Sequence, residues 1–385
     1  MRLLYISNVR LPTEKAHGAQ IMENCRAFSQ WPKTEVALVS ARRIGVNHKN
    51  PFLYYDLART FSFKEIFCLD LLWLSFFKTF FFMLQAGSFT ISSLIYAWFV
   101  GKSGDIIYTR DFYVAAVLAC IRLVFYEVHS LPNRPTWLHR RAWQRARGLI
   151  VISNGLRDDL VGWGVDKKKI LVARDGFNAA RFDNNLTRQE ARSGLAIPLQ
   201  QKMVLYAGHL YEWKGADILA RAALKLPEDI HVYLVGGTKE DVAKFDKEYR
   251  AANIHIMGHR PQIEIPAWLS AADILVIPNS AKEKISSRYT SPLKLFEYMV
   301  SGSPIIASDL PSIREVLDSK EAVFFTPDDS LDLRQKIITS INNQASLLER
   351  ARLAQAKVGQ YSWENRGKLI RRFILAYSVN MGLNK

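Results

Sequence analysis

The sequence predicts an α/β protein of two lobes, each built on a parallel sheet, and three observations carry that prediction. From about residue 200 short β-rich runs (MVLYA, IHVYLV, IHIM, DILVI, PIIA, AVFF) alternate with helix-length segments. Such alternation marks βαβ units whose sheet is covered on both faces. The first half shows the same pattern more loosely, in RLLYIS, EVALVS, DIIYT, LVFYEV and LIVIS. Finally, 385 residues suit two domains of ordinary size, at about 100–200 residues each. A chain that is 49% hydrophobic and 23% charged, with no low-complexity tract, is not disordered, collagen-like or a disulfide scaffold.

The apolar start MRLLYISNV reads as a first buried strand, because it lacks the long apolar region and cleavage site of a signal peptide. Cys25, Cys68 and Cys120 lie far apart and form no CxxC pair, so neither a zinc site nor a disulfide framework is implied. The most apolar stretch runs from Ile66 to Val100. Asp70, Lys78 and the run Gln85-Ala86-Gly87-Ser88 are expected to divide it into pieces too short to cross a bilayer. Within it, a helix over Leu71 to Leu84 would place Trp73, Phe76, Phe77, Phe80 and Leu84 on one face and Phe82 on another. A helix apolar all round is buried in protein or in lipid. Polar residues near 165–180 mark the seam between lobes, with the first expected to end at 169.

In open α/β sheets ligands bind beyond the carboxyl ends of strands, so residues that follow strands are the candidates. After the first strand, Gly18 sits in a turn leading into a helix, where it either lets a ligand approach the backbone or is an ordinary loop glycine. His129 follows LVFYEV and Arg110 follows DIIYT; a histidine there contacts a substrate hydroxyl or simply caps the strand. After MVLYA comes Gly208-His209-Leu210-Tyr211-Glu212-Trp213-Lys214-Gly215, a cation and a glycine before a helix. Free N–H groups and the helix dipole favour phosphate at such a point, though a solvated surface lysine has the same sequence signature. Further on, Ser291 suits an N-cap, Pro292 the first helical position and Gly302 the residue past the C-terminus. Lys294 and Glu297 are then neighbours on one face, as a phosphate contact with a hydroxyl acceptor or as a surface ion pair.

Taken in order, these segments resemble the retaining glycosyltransferases of family 4. The residues that carry the resemblance are YTSPLKLFEYMVSGSPIIASDLPSIREVL (289–317), YAGHLYEWKGADIL (206–219), PTEKAHGAQIM, YEVHSLP around His129, ISNGLRDDL (152–160) and YSWENR (361–366). The resemblance implies the GT-B fold, two Rossmann-like doubly wound domains facing a cleft, 1–169 with the terminal segment 360–385 crossing back onto it, and 170–359, with a nucleotide-sugar held by the C-terminal one. By position it gives Glu297 the ribose hydroxyls and Lys214 the diphosphate. His129 matches the histidine beside the transferred sugar and Gly18 the loop near the diphosphate. Tyr289, Thr290, Ser291, Pro292, Leu293 and Lys294 would line the sugar and phosphate, and Gly236 and Arg260 the base pocket, with Arg110 on the donor side. Two positions depart from the family pattern: Tyr289 stands where the first glutamate of E-x7-E is usual, and His209 where an arginine is usual.

The implied reaction is metal-independent, retaining hexosyl transfer from a UDP- or GDP-linked sugar, with no cofactor. Cations at the diphosphate stabilise the departing charge. No D-x-D pattern occurs, and no glycosidase-like carboxylate pair is placed by the pattern. The net charge of +16 is uneven. Residues 1–169 hold 23 Lys+Arg against 12 Asp+Glu, and 360–385 hold 5 against 1. Basic residues beside Trp137 and Trp143 (Arg134, Arg140, Arg141, Arg145, Arg147, Arg157) suit an anionic membrane surface, so the expected acceptor is a lipid-linked or polysaccharide glycan at the cytoplasmic membrane face. Nucleic acid is not the expected partner, since no helix-turn-helix, zinc-finger or RNA-recognition pattern is present. An epimerase or an inactive binding protein of the same fold are the alternatives.

Overall fold

Two all-parallel sheets order the chain. The computed structural model describes residues 1–13, 15–43, 50–71, 77–102, 104–182 and 186–379. Contacts divide them into a first unit, Met1–Ile152, Leu156–Arg174 and Trp363–Lys385, and a second, Ser153–Gly155 and Asp175–Ser362. The divisions fall a few residues later than the composition suggests, because a short strand after the lysine run still pairs into the first sheet.

The first unit runs β1 (Arg2–Ser7), α1 (Ala16–Ser29), β2 (Glu35–Arg42), α2 (Pro51–Tyr54), β3 (Ser62–Phe67), α3 (Lys78–Phe99) and β4 (Ile106–Thr109). It continues with α4 (Phe112–Leu118), β5 (Leu123–Val128), α5 (Trp137–Arg145), β6 (Gly148–Val151), α6 (Asn154–Gly162) and β7 (Ile170–Val172). Strand order is β3-β2-β1-β4-β5-β6-β7. Right-handed crossovers place α1 on one face of this sheet and α3, α4 and α5 on the other. Packing agrees, with α3 against α4 and α4 against α5.

The second unit contains α7 (Arg188–Gly194), β8 (Lys202–Ala207), α8 (Ala216–Ala223), β9 (Ile230–Val235), α9 (Lys239–Glu248), β10 (Ile254–Gly258), α10 (Ile265–Ala271) and β11 (Ile274–Ile277). It ends with α11 (Leu293–Ser301), β12 (Ile305–Ser308), α12 (Pro311–Arg314), β13 (Val323–Phe325), α13 (Ser330–Asn342) and α14 (Gln344–Val358). Its order is β10-β9-β8-β11-β12-β13. The inner strands are runs of Val, Ile and Leu buried on both faces, as a sheet covered on both sides requires. The last helix, α15 (Trp363–Val379), belongs to the first unit and packs on α1.

Two strands escape the sequence reading. SFKEIF (β3) and ILV (β7) are edge strands, short or interrupted by charge, so their apolar signal is weak. The division at Gln85-Ala86-Gly87-Ser88 is overturned: α3 runs unbroken through it. Gln85 and Ala86 are sound helix formers, and the polar atoms there find local partners. Ser88 Oγ donates to the Gln85 carbonyl at 3.0 Å and accepts from Leu69 N–H at 2.9 Å. Thr79–Phe99 is consequently long and apolar enough to cross a membrane by length and composition. Trp73 and Phe76 of the expected helix lie outside the described residues.

The charge divides more sharply along the observed boundaries. The second unit holds 23 Lys+Arg and 23 Asp+Glu, so the first unit, with 52 − 23 = 29 against 36 − 23 = 13, carries the entire +16.

The second unit's core contains one fully buried guanidinium. Arg192 donates to the carbonyls of Ala271 (2.8 Å), Leu199 (2.7 Å) and Gln201 (2.8 Å) and to Asp273 (2.7 Å). Arg192→Ala is expected to lower unfolding free energy by about 3 kcal/mol, since it leaves three carbonyls without their donor and Asp273 with only the exposed Arg188 and Met203 N–H among its described partners. Arg188→Ala, which removes an exposed partner of the same carboxylate, should cost less than about 1 kcal/mol. Urea denaturation checks this, and equal effects would contradict it.

Candidate functional site

In the second sheet the strand order reverses between β8 and β11, and such switch points open a crevice at the carboxyl ends of the strands. The segments leaving both strands meet there. Trp213 carbonyl accepts from Ser280 N–H (3.0 Å) and Ser286 Oγ (3.2 Å), tying the loop after β8 to the loop after β11. Gly215, at φ +69°, begins α8; a Cβ on it would lie 1.8 Å from the Pro278 carbonyl oxygen, so no larger residue fits. One strand further out, Gly236 at φ +121° packs on the Gly208 carbonyl in the same way, with 2.2 Å for a Cβ.

α11 enters this crevice with its N-terminus. Tyr298 fixes it: its hydroxyl accepts from Ala207 N–H at 2.8 Å, at the end of β8. Gly302 takes the left-handed cap as the sequence suggests, but the other terminus differs. The N-cap is Pro292, and Ser291 Oγ instead accepts from Asp175 N–H at 3.0 Å, so the first helical N–H groups receive no side-chain cap.

Lys294 is buried, which removes the surface ion-pair reading. Its Nζ lies 4.4 Å from the Tyr206 ring centroid and has no hydrogen-bond partner among the described residues. Burial, then the charge of Lys214, holds this ammonium well below the usual lysine range. Lys214, at the end of the short turn before Gly215, lies 5.3 Å from the Trp213 ring and 5.7 Å from that of Tyr211, and burial lowers it to about 8. The two amines are close enough for the charge of one to disfavour that of the other. Glu297 is half-buried one turn along α11.

The remaining predicted residues distribute around this centre. His209 stacks on Tyr211 with centroids 4.9 Å apart, and its carbonyl accepts from Tyr206 O–H at 2.6 Å. Arg260 lies 5.8 Å from the Trp268 ring, past β10. Tyr289 is buried while Thr290 and Leu293 are half-buried beside Pro292. Sequence reasoning missed Asn279, fully buried after β11 with neither amide atom hydrogen-bonded among the described residues. The strand-end rule would have found it, since it follows DILVI with only Pro278 between.

The first unit holds a separate polar cluster. His129 Nε2 lies 2.5 Å from Glu127 Oε1, and the wholly buried Glu127 also meets Arg366 of α15 at 3.1 Å and the Tyr108 hydroxyl. Burial alone would raise the Glu127 carboxyl; Arg366, His129 and Arg110 hold it well below the usual range. For His129, burial and the Arg110 charge outweigh the attraction of Glu127 and lower it to about 4, so the imidazole is neutral near pH 7. Arg110 itself donates to Gln20 at 3.2 Å. Gly18 lies in the first turn of α1, and the space a side chain would need is filled by the Tyr55 hydroxyl, 2.1 Å from a Cβ. The missing side chain admits Tyr55, which hydrogen-bonds Thr13 at both backbone atoms. Among the described residues no group of three His, Cys, Asp or Glu is placed to hold a metal ion.

Two parallel Rossmann-like units define the GT-B fold, and the comparisons with known proteins agree. Residues 201–343 match the family model Glycosyl transferases group 1. Among curated relatives, D-inositol 3-phosphate glycosyltransferase of Corynebacterium urealyticum is 25% identical over 225 residues, 54% of this chain and 51% of that protein. The chain thus spans about half the length of the first relatives it matches. Among solved structures, Anabaena Alr3699/HepE in complex with UDP-glucose aligns with a TM-score of 0.74 at 18% identity, over 98% of this chain and 100% of that one. Sucrose-phosphate synthase from Thermosynechococcus elongatus aligns at 0.78 with 17% identity, over 97% and 99%. The fold is that of these GT-B glycosyltransferases along the whole chain, and group 1 sequence character lies in the second unit.

The Glu127–His129 pair makes stability depend on pH with a definite sign. His129 titrates near 4 when folded and about 6.5 when unfolded, so between these values the unfolded chain holds the extra proton. Stability is expected to fall by up to about 3 kcal/mol as pH drops from 6.5 to 4, and Glu127, also lowered, adds to the loss below about 4.5. Urea titrations of wild type and His129→Gln over this range should show a shallower slope for the variant. Identical slopes would contradict the assignment.

Proposed function

We propose that the chain is a glycosyltransferase that moves a sugar from a nucleoside diphosphate donor to a glycan acceptor, with the donor held by the second unit. One observation carries the reading: the buried Lys294 amine, without a hydrogen-bond partner among the described residues, beside Lys214 and the uncapped N-terminus of α11, at the switch point of the sheet. A diphosphate supplies the negative charge and the acceptor oxygens that all three lack. Glu297, half-buried further along α11, is the acceptor for vicinal ribose hydroxyls, and Asn279 adds a second polar contact. A UDP- or GDP-linked hexose fits this reading, which gains support from the group 1 match and from the UDP-glucose held by the Anabaena neighbour.

Cleavage of the bond between the anomeric carbon and the phosphate oxygen leaves negative charge on the diphosphate. Amines that become fully protonated against that charge stabilise the transition state more than the ground state. The departing phosphate oxygen accepts the acceptor's proton in this reading, which leads to attack on the same face and retention of configuration. The lysines neutralise the diphosphate, so the reading needs no divalent ion. In the first unit the neutral His129, oriented by Glu127, offers a hydrogen bond to a substrate hydroxyl. The acceptor assigned to this lobe is a polysaccharide or lipid-linked glycan.

A thermal-shift panel of UDP, GDP and their sugars identifies the donor: at 100 times Kd the correct one should stabilise the fold by about 2.7 kcal/mol. With that donor, Lys214→Ala is expected to lower kcat/KM by at least about 100-fold, as loss of one charge-stabilising contact does. Glu297→Ala should lower it at least about tenfold, mainly through KM. Both variants should keep the wild-type circular dichroism. Full activity in both would refute the site, and donor turnover that needs no acceptor would point instead to an epimerase.

A further inference from the structure

Helix α3 is amphipathic in the reverse sense. Its buried face consists of Gln85, Ala86, Phe89, Thr90, Ser93 and Ala97, mostly small or polar, packed on the first unit. The polar groups are satisfied locally: Thr90 Oγ1 donates to Ala86 carbonyl and Ser93 Oγ to Phe89 carbonyl, each at 2.7 Å. Its outward face repeats at helical spacing through Phe80, Leu84, Ile91, Ile95 and Trp98, with Ile91 60% and Trp98 64% exposed. A soluble helix places its residues the other way round. An apolar face this long is a docking surface.

The surroundings say what covers it. α4, the turn that follows it and α5 extend the same layer and expose Val117, Ile121 and Trp137, the last 72% accessible. Exposed cations rim it: Lys102, Arg140, Arg141 and Arg145. The acids between Lys78 and Arg157 are Asp105, Asp111 and Glu127, and none of the three is exposed. Asp105 pairs with Arg2, Asp111 caps α4, and Glu127 lies in the buried cluster. The layer thus presents aromatic and aliphatic side chains among positive charge, with no exposed carboxylate. That is the chemistry of an anionic lipid surface, where large apolar residues sink below the headgroups and Arg and Lys meet phosphates.

We propose that the α3–α4–α5 face docks the protein on an anionic bilayer, with α3 lying in the plane of the interface rather than crossing it. A spanning arrangement would strip Gln85, Thr90 and Ser93 from the sheet they cover and expose them to hydrocarbon. In-plane seating keeps that face on the protein and buries the outer one about 5–10 Å into the headgroup boundary. The docking is independent of the transferase reading, because it involves neither donor nor acceptor.

The test is co-sedimentation of the full chain with phosphatidylglycerol/phosphatidylcholine vesicles and with phosphatidylcholine alone, without substrates. Wild type should bind the anionic vesicles at least tenfold more tightly and lose affinity as salt rises. Ile91→Glu with Ile95→Glu, both at exposed positions, should keep the wild-type melting temperature and reduce binding at least tenfold. Arg140→Glu with Arg141→Glu should reduce both binding and its salt dependence. Wild-type indifference to vesicles, or undiminished binding of the Ile91/Ile95 variant, overturns the proposal. So does sedimentation velocity showing a dimer that this variant abolishes, which would make the face an interface between copies.

Discussion

Lys294 places a primary amine beneath the carboxyl end of β8, against the face of Tyr206 and without a hydrogen-bond partner among the described residues. Burying a charge in that setting is costly, so the amine gives up its proton readily, and Lys214 nearby strengthens the tendency. Much of the second unit's local structure serves to hold this arrangement. Tyr298 locks α11 to Ala207, Ser280 and Ser286 fix the loop that carries Lys214, and Gly215 lets that loop close on Pro278. Each of these is a stabilising contact in its own right. Their joint effect is to hold the two amines at the carboxyl end of β8, where the proposed diphosphate would supply the missing charge.

The sequence exposes the parts of this design that follow from repetition and position. Eleven β-rich runs foretell eleven of the thirteen strands, since buried parallel strands are continuous apolar segments. Gly302, Lys214 and Gly215 are legible for the same reason: strand ends and helix ends carry short-range signatures. Contacts between distant residues are not. Nothing near Ser291 announces that it will hold Asp175 N–H, and nothing near Gly18 announces Tyr55. Glu127 reads as one more strand residue until Arg366, far away in α15, is found against it.

Helix α3 shows the limit from the other side. Gln85 to Ser88 look like a break because they are polar or small, yet Gln85 and Ala86 lie on the face that touches the protein, while Phe80, Leu84 and Ile91 point outward. Composition is the same in either case; only the direction of the side chains distinguishes them. The charge follows the same division. The unit that carries the outward apolar helix also carries the whole positive excess, and the unit with the paired lysines is neutral overall. The two lysines therefore act locally, through burial and proximity, and not through a general positive field.

The most direct measurement is the proton balance of nucleotide binding. If burial leaves the Lys294 and Lys214 amines partly deprotonated in the free protein and an anionic diphosphate recharges them, protons should be taken up from solution when a nucleotide binds. Titration calorimetry with UDP and GDP in two buffers of different ionisation enthalpy reads that uptake. Uptake is expected with the nucleotide that binds, with a marked fall for Lys294→Met. Binding without buffer dependence, or uptake unchanged in Lys294→Met, would contradict it.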